Sequence, residues 1–452
     1  VEEKCKKGHM SLKLFYSGRK ELKHFFQKRN NFNQKFISYL VKYKPLTFIV
    51  FSVFLILPCI INAQSSYDLV YEKNFSSKTG AEDLLTVHKA FYTLEDIYLP
   101  PNIVQPKNFK LKLANIGYRL LKSFVIDYPI DYLTGITQHE VFGHGARFRE
   151  FKYTNTSYHL ALPPPFGKGH GFAEGTRPIN STFDESITMM VSGNESNSVL
   201  ADIQRTKWVM DDTVNYRDFF IYLGGQENTL EYTLITLFTK TGDIKNFIND
   251  MNIKYYISTG KKYDADLLFK YSLINILDPY QYIAFYHWGN YVITGKQKGK
   301  QFMIKIKDVG YLPSFQLGLT PFGAEFYMTN YLKWKNRTFK FYGRYGDPTF
   351  ANFWGAGIST YNIVRNKYFM FNASADIWEQ PSLLIQDKET NYRTTDNGIG
   401  GAVSATLGFC IFRDKFPVNL ILSGGYKTDG YLQGETLSRG FFIRGGVGFI
   451  TR

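Results

Sequence analysis

Between residues 109 and 150, apolar residues recur at intervals of three and four. They do so in "FKLKLANIGYRLLKSFVIDYP" and, after Pro129, in "IDYLTGITQHEVFGHGARF". This spacing is that of one helix face, so two successive helices are predicted. Another helix is predicted near "GAEDLLTVHKAFYTLEDIYL", ahead of a break at Pro100-Pro101. Residues 151 to 190 read as loop, with Pro163-Pro164-Pro165 and "FGKGHGFAEG". Two more helices open on related phrases, "SGNESNSVLADIQRTKWVM" and "GGQENTLEYTLITLFTKTG". Each sets a glutamate near the predicted helix start, where a carboxylate suits the helix dipole. "DADLLFKYSLINILDPYQYIAFYHWGNYVIT" closes the helical half.

Past about residue 305 the period becomes two. In "KYFMFNASADIW", Phe369, Phe371, Ala373, Ala375 and Ile377 share one face, opposite Asn372, Ser374 and Asp376. In "GAVSATLGFCIF", Val403, Ala405, Leu407, Phe409 and Ile411 oppose Ser404, Thr406 and Gly408. Long strands joined by polar turns such as "VRNK" and "RDKFP" imply an antiparallel sheet. The fold class is therefore α+β: a leader over residues 1–63, a helical half over 64–304 and a β half over 305–452. Two architectures fit the β half. One is an outer-membrane β-barrel of about eight strands with its apolar face toward lipid. The other is a soluble sandwich, because any half-buried sheet alternates in this way.

Charge and cysteine content narrow the setting. The chain of 452 residues carries +15, but residues 1 to 44 hold twelve Lys/Arg and three acidic residues, hence +9 of that total. An apolar run from about Leu46 to Ile61, then Ala63-Gln64, follows these basic residues. Together they read as an export signal cut after Ala63, or as a retained signal anchor. With the basic charge concentrated in the leader, the high pI gives no reason to expect nucleic acid as a partner. Cys5 and Cys59 belong to the leader, and Pro58 makes Cys59 a poor lipid-attachment site. Cys410 is then alone in the exported chain, which must be held by its core, a metal or a membrane rather than a disulfide. The expected location is the cell envelope, with the outer membrane following from the barrel reading.

The candidate chemistry lies in "QHEVFGHGARF". His139 and His144 are five residues apart, which places them about 140° apart on a regular α-helix. They reach one ion only if the helix widens locally, as in a π-bulge. Gly143 tolerates such a distortion, so the widened turn is predicted near Phe142-Gly143. Glu140 would then face the open side of the metal. Histidine pairs also cap or fill helical cores.

"HEVFGHG" resembles the H-E-x-x-x-H motif of the dipeptidyl peptidase III family of zinc peptidases, through His139, Glu140, Gly143, His144 and Gly145. The resemblance covers about a dozen residues. It implies that His139 and His144 bind Zn2+ and that Glu140 polarises the attacking water. It also implies a third ligand, a glutamate about fifty residues on, which is met by Glu195 in "NESNSVLAD". The family's second motif is matched poorly there, since Asn194 stands in place of its first glutamate and no arginine follows where expected. Family members are larger and carry no barrel, so a similar metal centre is implied rather than membership.

Other residues offer secondary roles. Glu227 is a rival third ligand. His159 and His170 can line a cleft or bind an oxyanion. Asp202 can orient a ligating histidine, and Arg147 and Arg149 can grip a substrate carboxylate. The expectation is a zincin-like metallohydrolase acting on peptides or envelope polymers. A different class also fits: a non-catalytic outer-membrane subunit of an assembly or transport complex that keeps a degenerate metal site.

Overall fold

The computed structural model describes residues 65–160, 171–366, 368–388, 391–395, 398–411 and 418–451. The predicted leader with Cys5 and Cys59, the triple proline, His170 and the "RDKFP" turn lie outside these residues. The order begins with strand β1 (Ser65–Tyr71) and helix α1 (Ser77–Tyr98), followed by α2 (Phe109–Lys122) and a π-turn at Ser123–Asp127. Next come α3 (Tyr128–Thr137), a π-helix over Gln138–His144 and α4 (Gly145–Glu150). Strands β2 (Thr154–His159) and β3 (Phe172–Thr176) form a hairpin ahead of α5 (Phe183–Asp211). After β4 (Thr213–Asn215) the chain runs through α6 (Asp218–Gln226), α7 (Asn228–Thr236), α8 (Asp243–Thr259), α9 (Ala265–Ser272) and α10 (Pro279–Thr294).

Strands follow: β5 (Lys298–Lys300), β6 (Ile304–Ile306), β7 (Val309–Thr320), β8 (Gly323–Trp334), β9 (Arg337–Gly346), β10 (Trp354–Arg365) and β11 (Phe369–Gln380). β12 (Leu384–Lys388) and β13 (Asn391–Thr394) make a separate hairpin. β14 (Gly398–Ile411), β15 (Val418–Lys427) and β16 (Gly440–Thr451) end the described chain. The main sheet has ten strands in the order β1-β16-β15-β14-β11-β10-β9-β8-β7-β6. Its paired neighbours are antiparallel.

Two expectations about the sheet are corrected. It has ten strands rather than about eight, because β1 leaves the helical half to pair with β16 and the short β6 pairs with β7. It is also not closed into a barrel. Side chains from the helices occupy the hydrogen-bonding edges where closure would occur. On β1, Val70 N–H donates to Asp83 at 2.7 Å and Asp68 O accepts from Thr86 at 2.7 Å. On β7, Phe315 O accepts from Gln226 at 2.8 Å and Leu317 N–H donates to Asn275 at 2.7 Å. Unpaired strand edges are costly or aggregation-prone, and these four contacts blunt both of them.

Helices and sheet share their cores. One cluster joins Ile187 and Val191 of α5, Phe247 and Met251 of α8, and Leu317 and Leu319 of β7. The start of α5 is set by a capping box between Thr182 and Glu185. The helix therefore begins twelve residues before Glu195, which sits in its middle and not at a helix start as the sequence suggested. Glu227 does stand at a helix start, between α6 and α7.

Candidate metal centre

The helix carrying the histidines is α-helical to Thr137, π-helical from Gln138 to His144, then α-helical again. Bonding from i to i+5 widens the turn and brings residues five apart toward the same side. The His139 and His144 rings accordingly lie 5.1 Å apart between centroids. Three carbonyls of the widened segment gain side-chain donors. Gln138 O accepts from Ser196 Oγ at 2.8 Å, Val141 O from Arg149 at 3.0 Å and Phe142 O from Ser77 Oγ at 2.8 Å.

Small residues let this segment lie directly on α5. A Cβ on Gly143 would stand 2.7 Å from Ser192 O and 2.8 Å from Gly193 Cα, and a Cβ on Gly193 would stand 2.1 Å from His139 Nε2. The sequence "SGNES" is thus a groove for an imidazole cut into the middle of a long helix.

The third member of the group is Asp243, the first residue of α8. One ligand atom from each of His139, His144 and Asp243 lies within 4.8 Å of the others. The Asp243 carboxylate is 3.2 Å from His144 Nε2 and 3.6 Å from His139 Nε2. A tetrahedral zinc with bonds of about 2.0–2.1 Å separates its donors by roughly 3.3 Å. Two edges of the group are therefore close to that size. Both histidines are buried, while the Asp243 side chain is 30% exposed and marks the open side. Its place in the first turn of α8 adds the helix dipole to the attraction for negative charge.

The surroundings orient the donors. His144 Nδ1–H donates to Met189 O at 3.0 Å, with Ser192 Oγ at 3.1 Å, which leaves Nε2 as the lone-pair nitrogen. Asn197 lies 3.4 Å from His139 Nδ1, and its own Oδ1 is buried without a partner. Turning that amide over lets Oδ1 accept from His139 Nδ1–H, which frees Nε2 for a metal. Tyr232 stacks on the His139 ring at 5.2 Å, with its hydroxyl 3.4 Å from Nε2.

In this metal-free arrangement, burial disfavours the charged His144, but Asp243 outweighs it and lifts the imidazole to about 9. Burial likewise opposes the Asp243 carboxylate, and His144 with His139 overcomes this to hold it well below the usual carboxylate range. Burial, reinforced by Asp243 and Glu140, keeps the Tyr232 hydroxyl protonated.

The other sequence candidates fall elsewhere. Glu195 is not brought to the histidines. It pairs with Arg147 at 2.9 Å and accepts from Gly434 N–H at 2.7 Å. Arg147 is consumed by that pair and by Glu150 at 2.6 Å, so it faces no open site. Arg149 bonds Asn74 O, Phe75 O and Val141 O, which makes it a brace for the π-helix and not a substrate clamp. Asp202 meets Lys340 and Tyr331 of the sheet and orients neither histidine. His159 lies on the exposed β2–β3 hairpin, stacked on Phe172 and 3.8 Å from Glu174. Glu227 is a partly buried carboxyl pushed up to about 7 by burial and by Asp278, outside the His139 group. Glu140 is buried beside His139, with its Cγ 3.1 Å from the site of a Cβ on Gly171.

No family of known proteins, curated protein or solved structure matches this chain. The residues alone therefore define the site: a buried His-His-Asp group that could hold a metal ion. Sequence reasoning missed Asp243. It lies 99 residues beyond His144, and "TGD" before a helix reads equally well as ordinary punctuation.

Proposed function

We propose that this chain is a zinc-dependent hydrolase of the cell envelope, with peptides as its substrate class. The observation that carries this reading is the π-helix that turns His139 and His144, five residues apart, toward one carboxylate. His139, His144 and Asp243 would hold the ion, so Asp243 takes the part first assigned to Glu195. Two imidazoles and one carboxylate with an open side form a donor set suited to catalytic zinc. When bound, zinc supplies a Lewis acid and lowers the pKa of water. Glu140, next in sequence to a ligand, acts as the general base. Tyr232 donates its hydroxyl hydrogen to the developing oxyanion. Asn197, Met189 O and Ser192 hold the imidazoles in place. The envelope location draws on the predicted leader.

The test is elemental analysis of protein purified in zinc, together with cleavage of a mixture of unstructured peptides. One zinc per chain and hydrolysis are expected. Glu140→Gln should retain the zinc and lower turnover by about 10²–10⁴-fold, the usual contribution of a general base. Protein that takes up no zinc and cleaves nothing sinks the proposal. The non-catalytic subunit is favoured by one observation, that His144 and Asp243 lie 3.2 Å apart and can satisfy each other as an ion pair. Zinc retention with no hydrolysis of any peptide would select it.

A further inference from the structure

The main sheet is inverted relative to a water-soluble one. Its apolar contacts with the helices gather on β7 and β8, and from β9 to β16 the helix-covered face is mainly polar. Lys340 meets Asp202, Arg344 meets Glu325 at 2.9 Å, and Arg444 meets Glu72 and Glu435, each at 2.8 Å. The opposite face is apolar and uncovered, with Phe441 84%, Ile443 70% and Val403 57% exposed. Strand register carries this face from β8 to β16: Met328 is opposite Gly343, Phe341 opposite Ile358, Ile358 opposite Ala375, and Ala375 opposite Val403. It continues through Leu407 to Leu422 and Leu420 to Val447. Among the described residues of β8 to β16, the only ionisable Asp, Glu, Lys or Arg on this face are Arg337 and Glu379, and both stand at strand ends.

The distribution along the strands is equally ordered. Tyr345, Trp354 and Tyr426 lie at one end of the face, and Trp334, Phe369 and Phe409 at the other. Small and aliphatic residues such as Ala375 and Leu407, together with Phe339, Phe341 and Phe371, lie between them. Strands of twelve residues are about 40 Å long, or roughly 30 Å tall at the tilt usual in membrane sheets. An apolar band between two aromatic girdles, at that height, has the dimensions of a bilayer's hydrocarbon core.

We infer that this face of the sheet is seated in the acyl-chain region of a lipid bilayer, with the helices on its polar side. The inference rests on the envelope location proposed above and not on the metal. An open sheet would leave its edge groups unpaired in lipid, but Asp83, Thr86, Gln226 and Asn275 already bond to both edges. Beside Asn275, which makes one of those edge bonds, Leu273, Ile276 and Leu277 are exposed as well. Among the described residues no helix is long and apolar enough to cross a membrane, so the sheet is the element that fits one.

The full chain should be assembled with phosphatidylcholine vesicles brominated along their acyl chains. It should float with the vesicles after an alkaline wash. Its tryptophan emission should be quenched, and Trp334→Phe with Trp354→Phe should remove most of the quenched component, since Trp208 and Trp378 are buried and the half-buried Trp288 lies on α10, off the sheet. Val403→Asp and Ile358→Asp should abolish flotation. Ile179→Asp, at a fully exposed apolar residue off the sheet, should leave it unchanged. If the aspartate variants fail to fold, quenching of the unsubstituted protein decides. A detergent-free soluble monomer that neither floats nor is quenched overturns the inference. So does a soluble dimer whose partner copy covers this face. Zinc content is read separately, so loss of one proposal leaves the other intact.

Discussion

On the inner face of the sheet three cations are each matched by anions, and a fourth, the buried Lys427, is held by the carbonyls of Thr428, Gly430 and Leu437. Arg344 is matched by Glu325, Lys340 by Asp202, and Arg444 by Glu72 and Glu435. In the group on the π-helix a single carboxylate, Asp243, faces two imidazoles, and the buried Glu140 stands beside them. The first set ties α5, β1 and the β15–β16 loop to the sheet. The second has donors left over and an exposed side. Buried charge that is closed on itself holds a fold together, and buried charge left open is where an ion or a substrate can be taken up.

The largest effect should come from opening a closed pair. Arg344→Ala leaves Glu325, which is fully buried, without its cation, and should cost about 3–5 kcal/mol. A urea midpoint that barely moves would show that this closed pair between β8 and β9 does not hold the fold together. The next change separates the two carboxylates proposed as the third ligand. Asp243→Asn should weaken zinc binding by more than the roughly 10–100-fold that loss of a supporting partner costs. Glu195→Gln should leave zinc affinity nearly unchanged and lower stability, because it strips Arg147 of a partner. The reverse result, read by competition with a chromogenic chelator, would return the ligand role to Glu195.

A smaller effect is expected where the π-helix meets α5. Gly193→Ala drives a methyl against the edge of the His139 ring, 2.1 Å from Nε2, and should cost about 1–3 kcal/mol, with a parallel loss of zinc. Gly224→Ala, where a Cβ meets nothing within 4 Å, should show neither in the same thermal melts and zinc titrations.

The last effect is a dependence on pH, which leaves the covalent structure untouched. The His144 pKa in the metal-free fold is raised from 6.5 to about 9. Its contribution to stability is therefore complete below about 6.5 and disappears as pH rises through about 9. Zinc must displace that proton, so its affinity should rise with pH up to about 9, by about tenfold per unit for one proton. Calorimetry in buffers of different ionisation enthalpy would count the proton. An affinity flat from pH 7 to 9 would remove His144 as a ligand that starts protonated.

The sequence by itself determined the elements and the local distortion. Periods of three to four and then of two announce helices before strands, because the two backbones place successive side chains 100° and 180° apart. The five-residue spacing of His139 and His144 with Gly143 called for a widened turn, and Gln138–His144 is that turn. It also showed which side chains share a strand face, but not which face water would see. Alternation is the same whether the apolar side is in or out, and only the packing of α5 against Lys340 and Tyr331 left the apolar side uncovered. The number of strands and the open edges depended on β1 crossing to β16, a pairing between residues more than 370 apart that no local pattern encodes. Asp243 was decided by tertiary structure alone for the same reason. The folding of α8 against α5 brings a helix-start aspartate to two histidines about a hundred residues earlier, while Arg147, one turn past His144, draws Glu195 away.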